Sequence, residues 1–181
     1  MIMLKKLINP KTQNYFAFKQ MLNDETFPWF YLPNSVKNKG GYDGHENHST
    51  YIHTFLERPW NNMTKLYPEI RSGSMEHIGE IIAEIARENN FVINCLLRVC
   101  VNCLEPKNNP KLSIPHIDHD FPHKNLVVYL TDAGGETVVY NDDGTFKEHY
   151  PQEDDVIIFT GIHCYRPSSV KRRLVLVATY I

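Results

Sequence analysis

No apolar run in the chain approaches the ~20 residues needed to cross a bilayer. The start, Met1 to Lys6, has neither the apolar core nor the small-residue cleavage site of a secretory leader. The expectation is a cytoplasmic protein with no membrane partner. Charge of one sign is also missing: 19 Lys and Arg stand against 21 Asp and Glu, a formal net charge of -2. No overall positive field gathers nucleic acid, which disfavours DNA or RNA as a partner. Lys171 opens the densest basic run, Lys171-Arg-Arg173, and a run that short reads as an exposed turn. Cysteine is scarce, with four residues at Cys95, Cys100, Cys103 and Cys164 and no framework spacing. Cys100 and Cys103 form a CxxC, but they lie on an expected strand, where positions three apart face opposite sides at roughly 10 Å. That spacing suits neither a disulfide nor a shared zinc. There is no internal repeat and no low-complexity tract.

What remains is a chain of 181 residues, 42% hydrophobic and 22% charged, the proportions of one globular domain with a full core. We expect a single domain over 1–181, with a helical and loop part at 1–90 and a β core at 91–181. A helix is expected from Pro10 to Asn23, carrying Tyr15, Phe16, Phe18, Met21 and Leu22 against the outside of a sheet. Phe27 to Pro33 reads as extended, with prolines near both ends. Asn34 to Ser49 lacks apolar periodicity and reads as a long surface loop of the kind that forms lids; its His45 and His48, with His53 beside it, read as surface residues. His53 to Leu66 carries a weak helical pattern broken by Pro59. Between Ser74 and Asn89, Met75, Ile78, Ile81, Ile82, Ile85 and Ala86 recur at three- and four-residue steps, which predicts an amphipathic helix capped by Ser74.

After Asn90 the texture changes to short Val-, Ile-, Leu- and Tyr-rich runs between turn residues. Strands are expected at Phe91–Leu104, Leu112–Asp118, Asn125–Thr131, Glu136–Tyr140, Thr145–Tyr150, Asp155–Thr160 and Arg172–Ile181. This predicts a mainly β, α+β architecture: a jelly roll or barrel with the N-terminal helices packed outside.

Within Ile114-Pro-His-Ile-Asp-His-Asp120, His116 and Asp118 lie two apart on a strand, so both side chains can reach one point. His163 follows the apolar strand Asp155–Thr160 across a turn at Gly161 and is the candidate third ligand. Two histidines and one carboxylate on one face of a metal leave the opposite positions open, as non-haem iron(II) requires. Arg173 begins the apolar strand Leu174–Tyr180, and a guanidinium inside a core needs an anion. Its bidentate fork suits a carboxylate, so a buried dicarboxylate cosubstrate is the natural partner. Both phases of that strand are apolar, so alternation cannot choose between Arg172 and Arg173; spacing from His163 favours Arg173.

His116-x-Asp118, then Leu126–Thr131 with Gly134-Gly-Glu-Thr137, then His163 and Arg173, resembles the signature of prolyl 4-hydroxylase-like iron(II)/2-oxoglutarate oxygenases over Cys95 to Ile181. The run from His119 to His123 and the short N-terminal part resemble small bacterial or phage-encoded members. The resemblance implies a double-stranded β-helix of cupin-like form, in which His116, Asp118 and His163 ligate Fe(II) and serve catalysis. It further implies that Arg173 pairs with the distal carboxylate of 2-oxoglutarate, that Tyr129 shares that carboxylate, and that Asn102 donates to cosubstrate or substrate. O₂ would be the oxidant, with ascorbate in support. The implied reaction couples oxidative decarboxylation of 2-oxoglutarate to hydroxylation of a C–H bond, in a peptide side chain such as proline first, or in a small molecule. One departure is Val175, where the family often has Ser, Thr or Ala. His119 and His123 read as solvated loop residues, or as groups that line the substrate mouth or hydrogen-bond to the metal ligands, and Cys164 as packed. Two alternatives stand beside this reading: a cupin-like metalloenzyme that does not use 2-oxoglutarate, and a non-catalytic jelly-roll binding module.

Overall fold

The computed structural model describes residues 4–36, 43–59 and 67–181. Helix α1 is Gln13–Leu22 and α2 is Met75–Glu88. The strands are β1 (Lys5–Leu7), β2 (Phe30–Leu32), β3 (His45–Glu46), β4 (Thr50–Glu57), β5 (Glu69–Ile70), β6 (Leu96–Leu104) and β7 (Leu112–Ser113). They continue as β8 (Lys124–Tyr129), β9 (Thr137–Tyr140), β10 (Phe146–His149), β11 (Val156–Phe159), β12 (His163–Tyr165) and β13 (Arg173–Tyr180).

The main sheet runs β1-β11-β8-β13-β6-β4-β2, with β5 paired to β4, and a smaller sheet runs β10-β9-β12. Every pairing in these two sheets is antiparallel. The sheets face each other across a cavity lined from both, which is the jelly-roll arrangement.

Strand alternation divides the main sheet into two unlike faces. On the outer face Leu126 and Val128 of β8, Leu176 and Ala178 of β13, and Val99 and Val101 of β6 meet Tyr15, Phe18 and Leu22 of α1 and Ile78, Ile81, Ile82 and Ile85 of α2. Burying each such aliphatic side chain contributes about 1.5–3 kcal/mol. The inner face carries Asn125, Val127 and Val175 among the residues that line the cavity.

The helices are fixed by specific end contacts. Thr12 caps α1 by accepting from the Tyr15 amide at 3.3 Å, and its hydroxyl donates to Glu84 of α2 at 2.6 Å. Helix α2 ends where Asn90 takes a left-handed conformation, a common stop for asparagine. The neighbouring Asn89 side chain bonds both backbone groups of Ile8, at 2.9 and 2.8 Å, and so ties the chain after β1 to the helix end. Ser74 does not cap α2 through its side chain; its hydroxyl turns instead to the Met21 sulfur.

Other expectations also give way. The segment read as weakly helical from His53 is strand to Glu57, because Thr50–Glu57 lies between β2 and β6 in the main sheet and ladder pairing overrides the local pattern. Trp60 and Met63, which contributed to that pattern, lie outside the described residues. The first half therefore supplies β1, β2, β4 and β5 to the main sheet as well as the helices. The strand expected from Phe91 begins at Leu96. In the expected lid segment, residues 37–42 lie outside the described ones, and His45–Glu46 pairs in parallel with Leu112–Ser113. His48 and His53, read as surface residues, are buried. His48 Nε2 donates to the Lys111 carbonyl and its Nδ1 accepts from the Lys107 ammonium, while His53 packs between Phe27 and Phe55 and its Nδ1 donates to the Pro28 carbonyl.

Candidate active site

Between the sheets lies a cavity of about 510 Å³, a size ordinary for small-molecule sites. Register explains its lining. Asn125 of β8 pairs with Thr179 of β13, which pairs with Arg98 of β6; toward the opposite end Tyr129 pairs with Val175, which pairs with Asn102. Each of these residues lies an even number of positions from the next lining residue on its strand, so all present side chains to the same face.

His116 is brought to His163 by a two-residue antiparallel bridge, with both backbone hydrogen bonds at 2.9 Å. The two rings stand 4.4 Å apart. Each Nδ1 faces a backbone carbonyl two residues earlier, Ile114 for His116 at 3.0 Å and Gly161 for His163 at 3.2 Å. A carbonyl can only accept, so each Nδ1 carries the hydrogen and each neutral ring keeps its Nε2 lone pair, the state in which imidazole binds a metal. Burial favours that state, pushing His163 down to about 3 and His116 below its ordinary value. Asp118 behaves oppositely: burial alone would raise it, but Arg98, the two histidines and Arg58 outweigh that and hold the carboxyl well below the usual range.

The three side chains are neighbours, yet among the described residues no three His, Cys, Asp or Glu side chains stand as a ready-made metal cage. His163 Nε2 lies 3.7 Å from Asp118 Oδ2. Asp118 Oδ1 accepts from Arg98 Nη1 at 3.0 Å and Arg58 Nη2 at 3.3 Å, and its backbone carbonyl accepts from Arg58 Nη1 at 2.6 Å. By donor chemistry the set fits a divalent transition metal, with two neutral imidazoles and one ionised carboxylate. The carboxylate as it stands is turned to the arginines.

Arg173 occupies one end of the cavity and is 4% exposed. Its guanidinium lies between the rings of Tyr129 and Tyr165, at 5.4 and 5.2 Å from their centroids. It donates to Thr137 Oγ1 at 3.1 Å and to the Gly135 carbonyl at 3.4 Å. Among the described residues no carboxylate lies within ion-pairing distance of it. Tyr129 joins the same group through its hydroxyl, 2.7 Å from Thr137 Oγ1. Arg172 points the other way, exposed and paired with Glu105 at 2.9 Å. Asn102 reaches the cavity wall, half-buried, with its amide 3.9 Å from Cys100 Sγ.

Several site residues escaped the sequence reading. Thr137 ends the Gly-Gly-Glu-Thr turn, and its type alone assigns it no role. Arg98 carried a usable signal, a charge in an apolar strand and in phase with Asn102. Arg58 carried none, since its segment read as helix. Asn125 is wholly buried, and both of its amide atoms lack a hydrogen-bond partner among the described residues. His119 and His123, read as solvated, are buried: His119 Nε2 contacts Thr179 Oγ1 at 2.8 Å, and the two rings pack 4.7 Å apart. Burial pushes His119 down to about 4. Cys164 is packed, its sulfur 3.4 Å from the Tyr140 hydroxyl.

No family model and no curated protein matches the chain. Solved structures do. An oxidoreductase of the 2OG-Fe(II) oxygenase family from Burkholderia pseudomallei aligns with TM-score 0.68 at 16% identity, over 99% of this chain and 84% of that one. A prolyl hydroxylase from Trichoplax adhaerens, solved with a peptide fragment of the hypoxia inducible factor oxygen degradation domain, aligns with TM-score 0.60 at 13% identity, over 99% and 83%. A Pseudomonas putida prolyl-4-hydroxylase aligns with TM-score 0.55 at 12% identity, over 99% and 91%. At these identities the likeness establishes the fold, a jelly roll shared with those oxygenases over nearly the whole chain.

Proposed function

We propose that this protein is an iron(II)- and 2-oxoglutarate-dependent oxygenase that hydroxylates a C–H bond. One observation carries the reading: Arg173 is a buried guanidinium facing no carboxylate among the described residues, at the end of a cavity whose wall also holds His116, Asp118 and His163. A buried cation of that kind needs an anion, and the cosubstrate supplies one. The cupin-like alternative leaves Arg173 without it. The fold shared with 2OG-Fe(II) oxygenases and prolyl hydroxylases supports the same reading.

In this reading His116, Asp118 and His163 hold the iron, which activates O₂ against the cosubstrate when bound. Arg173, with Thr137 and the Tyr129 hydroxyl behind it, takes the distal carboxylate. Tyr129 and Tyr165 exclude water and fix the guanidinium plane. The Nδ1 hydrogen bonds hold both imidazoles in the metal-binding tautomer. Among the described residues no helix is long and apolar enough to cross a membrane.

The test is to incubate metal-free protein with Fe(II), ascorbate, O₂ and 2-oxoglutarate and to follow succinate against an Asp118→Ala control. Succinate that requires Asp118 supports the reading. If neither succinate nor binding of 2-oxoglutarate is seen, the proposal fails.

A further inference from the structure

The cavity has a second pole. Arg98 and Arg58 both enter it beside Asp118, with side chains only 17% and 24% exposed. Along β13, Thr179, which registers with Arg98, lies three two-residue steps from Arg173, roughly 20 Å of extended chain. The two cationic ends are therefore distinct, with the His116–Asp118–His163 group nearer the Arg98 end.

Three features of this pole are not absorbed by the cosubstrate. First, a guanidinium carries five N–H donors, while among the described residues Arg98 places one on Asp118 and Arg58 two. Second, the charges do not balance. Among the described residues lining the cavity, Arg58, Arg98 and Arg173 face Glu57 and Asp118. A divalent cation and a doubly charged 2-oxoglutarate cancel each other, so one positive charge remains with both bound. Third, Asn125 lines the cavity fully buried, with neither its amide nitrogen nor its amide oxygen partnered among the described residues. Leaving such a group unsatisfied costs free energy, and Asn125 lies two strands from Arg98 in the same cross-strand row.

We infer that the primary substrate is a small carboxylic acid, its carboxylate held by Arg58 and Arg98 and a second hydrogen-bonding group held by the Asn125 amide. This rests on the oxygenase reading and specifies its substrate class. Docking there sets the carboxylate against the arginines that touch Asp118, so the carbon presented for oxidation lies only a few bonds from the acid group. A free amino acid supplies both groups, its carboxylate and its amino group, and one with an acidic side chain, such as glutamate, also cancels the remaining charge. A blocked peptide lacks the first.

The experiment is calorimetric titration of Fe(II)-loaded protein with saturating 2-oxoglutarate under anaerobic conditions. The probes are free L-amino acids (proline, leucine, glutamate), their carboxamides, and a prolyl peptide blocked at both ends. The wild type, Arg58→Gln and Arg98→Gln are compared, with iron and 2-oxoglutarate affinity measured for each. At least one acid binds, with its amide roughly ten- to a hundredfold weaker, as loss of a charged hydrogen bond requires. Both substitutions erase that preference. The inference is overturned if no acid binds, if acids and amides bind alike, or if the blocked peptide binds better than any acid. It is also overturned if both variants weaken iron binding while the acid preference survives, which assigns the arginines to positioning Asp118 alone. Failure of 2-oxoglutarate to bind the wild type is a separate outcome that removes the oxygenase reading and this inference together.

Discussion

The two faces of the main sheet are made by the same strands, yet they obey different rules. The outer face is dry: Leu126, Val128, Leu176 and Ala178 are buried against α1 and α2 with no charged group among them. The inner face buries Arg173 and Asn125 and half-buries Arg98, beside Val127 and Val175. Hydrophobic burial offsets chain entropy on the first face, while the second holds polar groups whose desolvation a core built for stability alone would avoid. The difference teaches where to look for function, because stability and ligand binding should separate cleanly between residues that are neighbours in sequence.

The strongest break of that separation to seek is at Arg173. Arg173→Met should weaken 2-oxoglutarate binding by about 3–5 kcal/mol, the cost of removing one partner of a buried ion pair. Its thermal midpoint without ligand should hold or rise, since a desolvated cation is replaced by an apolar chain; calorimetry and thermal melts read the two effects. Ile82→Ala, on the other side of the sheet, should do the reverse. It should lose about 2–5 kcal/mol in denaturant unfolding, with 2-oxoglutarate affinity of the folded protein unchanged.

Gly135 joins the two behaviours. It sits at φ +81°, and a Cβ there would stand 2.3 Å from the Arg166 carbonyl oxygen. Gly135→Ala should therefore cost about 1–3 kcal/mol in strain and, by displacing the carbonyl that receives Arg173 Nε, weaken 2-oxoglutarate binding as well. Urea unfolding and calorimetry on the same variant check both halves.

The smallest effect lies away from the cavity. Asp154 accepts from Tyr15 at 2.6 Å and Lys19 at 2.8 Å, and pairs with Lys11 at 3.1 Å. Burial would raise its pKa, but these hydrogen bonds outweigh it and the folded value is lowered. A lowered folded value means the contribution is present above the ordinary carboxyl pKa of about 3.9 and is lost as pH falls through the folded one. Asp154→Asn should then cost about 1–2 kcal/mol at neutral pH, with the gap to wild type closing below pH 4 in chemical denaturation.

The same contrast explains what could be read from sequence. Helix α2 was legible because it has one apolar side, and β6, β8, β9, β10, β11 and β13 because turn residues bound them; β7 stops at Ser113, short of the expected Asp118, and β12 was not anticipated. The face of β13 was not legible: Leu174, Leu176 and Ala178 meet the helices while Val175 and Val177 line the cavity, so both phases are apolar. Only the register with Tyr129 and Asn102 resolves which arginine turns inward. His116, Asp118, His163 and Arg173 stood out by residue type and order. Arg58, Arg98 and Asn125 did not, because their meaning comes from cross-strand neighbours far away in the chain. The β4 strand was misread for a related reason: its Phe55 and Leu56 are buried by α1, α2 and β6, partners that its own sequence does not announce.

The proposed role of Arg173 is to take the distal carboxylate of 2-oxoglutarate. The most direct test is anaerobic calorimetry of 2-oxoglutarate into Fe(II)-loaded wild type, Arg173→Met and Asp118→Ala. Saturable one-to-one binding to the wild type, loss in Arg173→Met, and marked weakening without iron or without Asp118 are expected. Absence of binding to the iron-loaded wild type, or binding that ignores Arg173, would contradict that role.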